Sequence, residues 1–185
     1  MIRSPISTDS PSSLPLTARR ATDRDLDDLV RLCAHAVAQR GTLWSTRKAH
    51  LDPAAWLAAR APVVVVADST GAVGFAAARP DGVPLGVAKC AEALAYVMPS
   101  HRRRGAARAV MSELTSVARV MGLWKLIAYA LPGDAASRAL LDRIDFREVG
   151  VLVKHAQIDG SWHDVALYER LVLSARKSLP SVNDG

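Results

Sequence analysis

The stretch AEALAYVMPSHRRRGAARAVMSEL, residues 91–114, decides the fold. It opens with an apolar run that carries one carboxylate, Glu92, and continues through three consecutive arginines, a glycine and two alanines. The apolar run predicts a strand over residues 92–98, and apolar residues at helical spacing predict a helix over residues 105–121. The order is therefore a strand, a basic glycine-containing loop and a helix.

This loop is suited to an anion. At the start of a helix, unpaired backbone N–H groups meet the positive end of the helix dipole. Gly105, Ala106 and Ala107 carry no bulky side chain, so a pyrophosphate can approach the N–H groups of residues 103–108, and arginine side chains can reach outlying phosphates. For RRRG alone, a solvated basic helix start is the alternative. The spacing matches neither a P-loop nor a GxGxxG turn.

The rest of the chain alternates strand and helix signals in the order β-α-α-β-β-β-α-β-α-β-β, which indicates a mixed α/β sheet. The segments VVVVAD and AVGFAAA, joined by STG, predict a hairpin in which Gly71 takes the turn. Asp159 and Gly160 predict a second turn between the last two strands. The first helix is predicted to bury one face, formed by Leu26, Leu29, Val30, Cys33 and Val37.

Length and composition predict one domain. The chain has 185 residues, of which 50% are hydrophobic, and a net charge of +6, which favours an anionic partner. Residues 1–16 read as a disordered leader, residues 17–173 as the domain and residues 174–185 as a flexible tail. No membrane span or secretory signal is present, so we expect a cytoplasmic protein that does not bind membranes. Cys33 and Cys90 fit buried thiols rather than a disulfide framework or a metal site.

Arg102, Gly105 and Ala107 have a spacing that resembles the acyl-CoA signature of the GCN5-related N-acetyltransferases (GNAT): Gln or Arg, two residues, Gly, one residue, Gly or Ala. The resemblance covers roughly residues 17–173 and is sharpest toward the phosphinothricin-type amino-acid N-acetyltransferases. AEALAYVMPSHRRRGAA, DGSWHDVALYERL and ARRATDRDL are similar to that group's central, closing and opening segments.

The resemblance implies a GNAT fold, with a mixed, mostly antiparallel sheet of about six or seven strands and about four helices on its two faces. It implies acetyl-CoA as the cofactor and the primary amine of a small molecule as the acceptor. An amino acid or an amino-acid-like antimetabolite is the expected acceptor, which would make the activity one of detoxification or resistance. We also expect a homodimer.

The resemblance implies that Glu92 is the general base and acts through water. Acetyl transfer needs a neutral amine, so a substrate ammonium must lose a proton. The alternative for Glu92 is a carboxylate on a strand edge that pairs with an arginine. The implied cofactor-binding residues are Tyr96, Val97, Met98, Arg102, Arg103, Arg104, Gly105, Ala106, Ala107, Arg108, Asp134 and Ser137. At residues 96–98 the contacts are expected from the main chain, and the N–H of Val97 or Met98 would hold the carbonyl oxygen.

The sequence departs from the family pattern in the helix after the next strand. Asp134 stands where the family has Asn, and Leu141 occupies the position of the Tyr that protonates the leaving thiolate in many members. Tyr129 or Tyr168 could supply the acid, but a core tyrosine is the alternative for each. Asp145 replaces the usual Gly after this helix and must take its turn.

The acceptor site is expected to involve Trp44, Arg47, Tyr129 and His163. Arg47 would bind a substrate carboxylate, although surface packing explains Trp44 and Arg47 equally well. His163, with its neighbours Trp162 and Asp164, fits a structural role or a dimer contact at the mouth of the acceptor site.

Three other functions compete with this interpretation. The acceptor could be an aminoglycoside-like antibiotic or a protein amine, although only the dispersed TDRDLDD offers acidic residues for a polycation. The chain could also be a CoA-binding regulator without turnover, which the departures at Asp134 and Leu141 support. A nucleic-acid-binding module lacks support, because no aromatic residues are interleaved with the basic ones.

Overall fold

The computed structural model describes residues 16–47, 51–80 and 89–172 of the chain. The predicted leader, up to residue 15, and the predicted tail lie outside the described residues. No helix in the described part combines the length and the apolar character needed to cross a bilayer.

The described residues form seven strands and four α-helices in the predicted order. They are β1 (Thr17–Arg20), α1 (Leu26–Val37), α2 (Pro53–Ala58), β2 (Val63–Asp68), β3 (Gly71–Arg79), β4 (Cys90–Val97), α3 (Ala106–Val120), β5 (Lys125–Ala130), α4 (Ala135–Arg143), β6 (Arg147–Ile158) and β7 (Ser161–Leu171). Short 3₁₀ segments cover residues 23–25, 43–46 and 99–101.

The strands form one sheet in the order β1-β2-β3-β4-β5-β7-β6. Neighbouring strands are antiparallel except for β4 and β5, which are parallel. The predicted mixed, mostly antiparallel sheet with four helices is therefore confirmed. β6 lies at an edge of the sheet.

The parallel pair β4/β5 opens into a fork. Its register runs from Cys90↔Lys125 to Glu92↔Ile127, whereas β4 continues to Val97 and β5 to Ala130. Beyond Glu92 the described residues of the two strands are no longer paired, so main-chain groups of β4 face the fork. The last paired residue of β4 is thus the carboxylate that the sequence analysis selected.

Two apolar clusters cover the two faces of the sheet, because side chains alternate along each strand. One cluster joins α3 and α4 to the sheet through residues such as Val110, Leu114 and Tyr168. The other joins α1 and α2 to it through residues such as Leu29 and Phe75. Glu92 lies two residues before Leu94 of the second cluster, so the two side chains share the α1/α2 face of the sheet.

The burial of α1 differs from the prediction at one position. Val30 is 51% exposed, while Leu32 and Ala36 are fully buried. The buried face of α1 therefore includes Leu32 and Ala36 and leaves Val30 exposed. Both cysteines are buried as predicted, and burial raises the pKa of Cys33 to about 12.

The turns follow their local chemistry. Asp145 stands where the family has a glycine, and its φ of 61° is the positive value that this turn was predicted to need. Asp159 and Gly160, with φ values of 48° and 84°, form the β6/β7 turn. β6 departs from regular pairing between Leu152 and Ala156, where its register shifts against β7.

Candidate active site

Glu92 lies at the point where β4 and β5 part. It is only 3% exposed, and its register partners are Arg79 on β3 and Ile127 on β5. A buried carboxylate requires a compensating positive charge or hydrogen bonds. The fork therefore places an acidic side chain in a dry environment next to unpaired main chain.

Two arginines face the Glu92 carboxylate. The guanidinium of Arg47 contacts Oε1, and Nη1 of Arg79 lies 3.9 Å from Oε2. Oε1 is buried and makes no hydrogen bond of acceptable geometry, so its contact with Arg47 is an ion pair by distance and not an aligned hydrogen bond. The pairing of Glu92 with arginine, which the sequence left as an alternative, is thus present in the structure.

Arg47 is positioned by aromatic packing. It follows the 3₁₀ segment of residues 43–46, in which Trp44 packs edge-on against Phe75 at 5.9 Å and Tyr96 at 5.8 Å between ring centroids. Such pairs add to the stability gained from burial. Trp44 therefore anchors the segment to the α1/α2 face of the sheet and brings Arg47 to Glu92.

Tyr129 lies on the same face, two residues beyond Ile127 on β5. Burial raises the pKa of Tyr129, the negative charge of Glu92 raises it further, and Arg47 partly offsets the shift. The ring of His155 stacks on Tyr129 with centroids 6.4 Å apart. The structure therefore brings Arg47, Glu92 and Tyr129 together in one electrostatic cluster.

The start of α3 is an open cradle of main-chain donors. Gly105 is its N-cap residue with a φ of 81°, and no side chain caps the helix. The first helical hydrogen bond runs from the Ala109 N–H to the Gly105 carbonyl, so the N–H groups of residues 106–108 precede it. A Cβ built on Gly105 meets nothing within 4 Å, so the space before the helix is open. This cradle fits the diphosphate of the coenzyme that the resemblance implies.

The guanidinium of Arg102 binds the end of β4 and the residues after α1. Its Nε donates to the carbonyl of Val97 at 3.1 Å, and Nη2 donates to Oε1 of Gln39 at 3.0 Å. The guanidinium also lies 5.9 Å from the centre of the Tyr96 ring. Arg102 therefore fastens the loop to the end of β4, although the residue is exposed, as Arg103, Arg104 and Arg108 are.

The main-chain donors at the end of β4 are fewer than predicted. The Met98 N–H donates to the carbonyl of Val73 at 2.9 Å, and the Met98 carbonyl accepts from the N–H of His101. In an antiparallel ladder these directions alternate, so the main-chain groups of Tyr96 also face β3. Of the predicted trio, only Val97 presents its N–H to the fork. The expectation for Met98 is corrected, because β3 accepts its N–H and the following 3₁₀ turn uses its carbonyl, and strand alternation turns the main chain of Tyr96 toward β3 as well.

Asp134 and Ser137 bind each other. One carboxylate oxygen of Asp134 accepts from the Ser137 N–H at 3.0 Å, and the other accepts from its hydroxyl at 2.6 Å. The pair forms the N-cap of α4. A coenzyme contact from these two residues stays a prediction.

Tyr168, the other candidate for the acid, is buried, and so is Leu141, which occupies the position of the family's tyrosine. Leu141 is 5% exposed in the core. Tyr168 is 1% exposed; its hydroxyl donates to Oε2 of Glu148 at 2.8 Å and accepts from Nε of Arg138 at 3.0 Å. The Tyr168 proton is thus directed at Glu148, away from Glu92.

His163 stays apart from the cluster around Glu92. It is exposed near the β6/β7 turn and pairs in register with Ala156. Its neighbour Trp162 is 60% exposed. On this hairpin it is His155 that contacts the cluster, because the register shift in β6 brings it over Tyr129, and this shift has no signal in the sequence.

Arg79 is a site residue that the sequence analysis missed. It ends the apolar run of β3 and is 4% exposed. The sequence could have indicated it, because the predicted hairpin β2/β3 and the alternation of side chains along a strand place Arg79 on the same face as Phe75 and Ala77. Gln39, which binds both Arg102 and Tyr96, was missed because its contacts depend on the packing of α1 against the loop.

Comparisons with known proteins show what this chain is similar to. Residues 26–146 match the model of the acetyltransferase (GNAT) family. An L-methionine sulfoximine/L-methionine sulfone acetyltransferase of Pseudomonas paraeruginosa is 29% identical over 168 residues, which are 88% of this chain and 97% of that protein.

Two solved structures share the fold. A ribosomal-protein-alanine N-acetyltransferase from Brucella melitensis superposes with a TM-score of 0.73 at 30% identity, over 84% of this chain and 99% of that one. A phosphinothricin acetyltransferase from Sinorhizobium meliloti, in complex with acetyl-CoA, superposes with a TM-score of 0.73 at 24% identity, over 91% of this chain and 94% of that one.

Proposed function

Because the chain belongs to the acetyltransferase (GNAT) family and is an N-acetyltransferase that uses acetyl-CoA, we propose that its acceptor is the amine of an amino-acid-like small molecule. The observation that carries the proposal is the buried Glu92 at the β4/β5 fork with the guanidinium of Arg47 beside it. A base and a carboxylate-binding cation next to each other suit an acceptor that carries both an amine and a carboxylate. The curated relative is named for acceptors of this kind.

Each part of the site takes one role in this proposal. Acetyl-CoA supplies the acetyl thioester. The N–H groups of residues 106–108 hold its diphosphate, and the exposed arginines beside them hold outlying phosphates. The Val97 N–H, which faces the fork, holds the carbonyl oxygen. Glu92 takes a proton from the acceptor ammonium through water.

Tyr129 is the hydroxyl we assign to protonation of the leaving thiolate. Its pKa is raised by burial and by the charge of Glu92, so it is protonated at neutral pH. Tyr168 is unsuitable because its proton is donated to Glu148. A thiol has an ordinary pKa of ~8.5, so the leaving group needs little assistance.

A protein amine is the second candidate acceptor, favoured by the similarity to the ribosomal-protein-alanine enzyme. A polycationic aminoglycoside is less suited. Two acidic residues at the start of α1 are already paired, since Asp25 binds Arg19 and Asp28 binds Arg31. The relatives named as acetyltransferases favour turnover over a purely regulatory role.

Detoxification or resistance, action in the cytoplasm and a homodimer complete the proposal. The edge strand β6 supports the homodimer, because it exposes Val149, Val151 and Val153 at 47%, 47% and 73%. An exposed apolar edge strand is a surface on which a second chain can pair.

The proposal is tested with the full chain and acetyl-CoA. L-methionine sulfone, L-methionine sulfoximine, phosphinothricin, an aminoglycoside and a peptide that begins with alanine serve as acceptors, and mass spectrometry identifies the acetylated product. We expect acetylation of one or more of the amino-acid compounds. Acetylation of the peptide alone would favour the second candidate.

The role of Glu92 is tested in the same assay with Glu92→Gln. This change preserves shape and removes the base, so kcat should fall by about a hundredfold or more while the Kd for coenzyme A stays unchanged. Glu113→Gln, on α3, is the matched control and should have no effect. Full activity of Glu92→Gln would show that another group takes the proton.

A further inference from the structure

Arg47 covers the oxygen that Glu92 needs for its proposed role. A general base needs an oxygen that can accept a hydrogen bond from the substrate or from a bridging water. Oε1 has that capacity, because it is buried and makes no aligned hydrogen bond. The guanidinium of Arg47 lies against this same oxygen, so the pair as it stands shields the base from an acceptor.

The two arginines at Glu92 are held differently. Arg79 lies within the sheet on β3, opposite Glu92 in register, and its side chain is 4% exposed. Arg47 lies outside the sheet, after a 3₁₀ segment, and its side chain is 16% exposed. Withdrawal of Arg47 would leave Arg79 at 3.9 Å from Oε2, so it lessens the penalty of a buried carboxylate without a positive neighbour.

We propose that Arg47 is a cap on Glu92 that the carboxylate of the acceptor removes. This inference rests on the proposed function. A guanidinium pairs with carboxylates in a two-pronged geometry, so an acceptor carboxylate can replace Glu92 as the partner of Arg47. One ion pair is exchanged for another without a covalent step. Oε1 is then uncovered while the amine of the same acceptor is held nearby.

This arrangement makes the acceptor carboxylate act on turnover as well as on binding. An amine that lacks a carboxylate leaves Arg47 on Glu92, so it should react slowly even at saturation. A residue that only binds the acceptor would instead change KM and leave kcat unaltered. The split between kcat and KM therefore separates a removable cap from a simple binding contact.

The test compares L-methionine sulfone with 3-(methylsulfonyl)propylamine, the same molecule without its carboxylate. For the unmodified chain, kcat for the amine should be at least about tenfold lower than kcat for the amino acid. In Arg47→Gln, KM for the amino acid should rise by about tenfold or more, because its carboxylate loses a partner. In the same variant, kcat for the amine should rise several-fold, because Oε1 is uncovered.

Two further measurements exclude a structural explanation. Acetate added to the unmodified chain should raise kcat for the amine by drawing Arg47 off Glu92, and it should have no such effect on Arg47→Gln. Arg40→Gln is the charge-matched control, since Arg40 is 84% exposed and pairs loosely with Asp159. It should behave like the unmodified chain.

The outcomes separate the two proposals. Acetylation of the amino acid, with kcat for the amine unchanged or lowered in Arg47→Gln, would overturn the cap alone. Acetylation of neither compound by the unmodified chain would overturn the proposed acceptor class and the cap with it. A gain in kcat for the amine, together with the effect of acetate, would establish the cap.

Discussion

The start of α3 differs from the starts of the other three described helices. Asp25 stands before α1, the carboxylate of Asp52 accepts the Ala55 N–H at 3.0 Å at the start of α2, and Asp134 caps α4. Before α3 there is Gly105 instead, preceded by three arginines. Aspartate carboxylates therefore cap the starts of α2 and α4, and the Asp25 carboxylate before α1 binds Arg19 and the Thr22 N–H, whereas basic residues surround the start of α3.

The difference between the start of α3 and the other helix starts indicates where the chain binds an anion. An aspartate at a helix start satisfies orphan N–H groups and complements the positive end of the dipole, and each such cap contributes about 1 kcal/mol. α3 forgoes that contribution and adds positive charge where the dipole is already positive. Its stability comes instead from its buried face, with Val110 and Leu114 fully buried. A helix start that is left open and basic in this way is organised for an anionic ligand.

The largest effect on stability should come from Asp25, the aspartate before α1. Asp25 is 5% exposed, binds the guanidinium of Arg19 at 2.7 and 2.8 Å and accepts from the Thr22 N–H at 2.8 Å. Asp25→Ala should lower the free energy of unfolding by about 2–3 kcal/mol, because charge-assisted hydrogen bonds are lost. Urea unfolding measures the change. Asp23→Ala, in the same turn but exposed, should change it by less than about 0.5 kcal/mol.

The same substitution predicts a pH dependence. The hydrogen bond from Arg19 is the largest cause that lowers the pKa of Asp25, so the carboxylate contributes fully above its unfolded pKa of about 3.9. That contribution is lost as pH falls through the lower folded pKa. The stability difference between the unmodified chain and Asp25→Ala should therefore shrink below about pH 4. A difference that stays constant down to pH 2 would contradict the role of the ionised carboxylate.

An acidic residue at the start of α3 should weaken coenzyme binding. Gly105→Asp places a carboxylate beside the cradle, so the Kd for coenzyme A should rise by about tenfold, which corresponds to about 1.4 kcal/mol. Asp and Asn both tolerate the positive φ of 81° at this position. Gly105→Asn is therefore the neutral control, with an expected rise of about threefold or less. Equal effects of the two changes in a calorimetric titration would argue against an anion at this helix start.

Removing the aspartate that caps α4 should affect stability alone. Asp134→Ala removes the cap of α4 and should lower the free energy of unfolding by about 1 kcal/mol, whereas Asp134→Asn keeps an acceptor and should lose less. Because the Asp134 carboxylate already binds Ser137, the Kd for coenzyme A should change by less than about twofold in both variants. A large loss of coenzyme affinity would instead give Asp134 the cofactor contact that its position in the sequence predicts.

The order of strands and helices could be predicted because it depends on local signals. Periodicity defined β4 and α3, and residues that tolerate positive φ marked the turns at Asp145 and Gly160. The orientation of α1 is not local. Val30 and Leu32 are both apolar, and only the packing of the helix on the sheet decides which of them is buried.

The site shows the same division. The main-chain cradle follows from the spacing of Arg102, Gly105 and Ala107, whereas the direction of the Arg102 side chain depends on Gln39 and Val97, which are distant in sequence or part of another element. His155 reaches Tyr129 only through an irregular register in β6. Residue types and spacing therefore predict where the open helix start lies, whereas the occupied N–H of Met98 and the side-chain contacts of Arg102 and His155 depend on how the elements pack.

The smallest effect should come from the arginines that surround the open start. Arg103 is exposed, so its interaction with a phosphate is screened, and Arg103→Gln should raise the Kd for coenzyme A by only about two- to threefold at low salt. The effect should fade as the ionic strength approaches about 1 M, where charges interact over only about 3 Å. Arg143→Gln, which removes an exposed arginine at the end of α4, changes the net charge equally and should leave the Kd unaltered. If both variants weaken binding to the same extent, the overall charge of the chain, and not the local charge at α3, attracts the coenzyme.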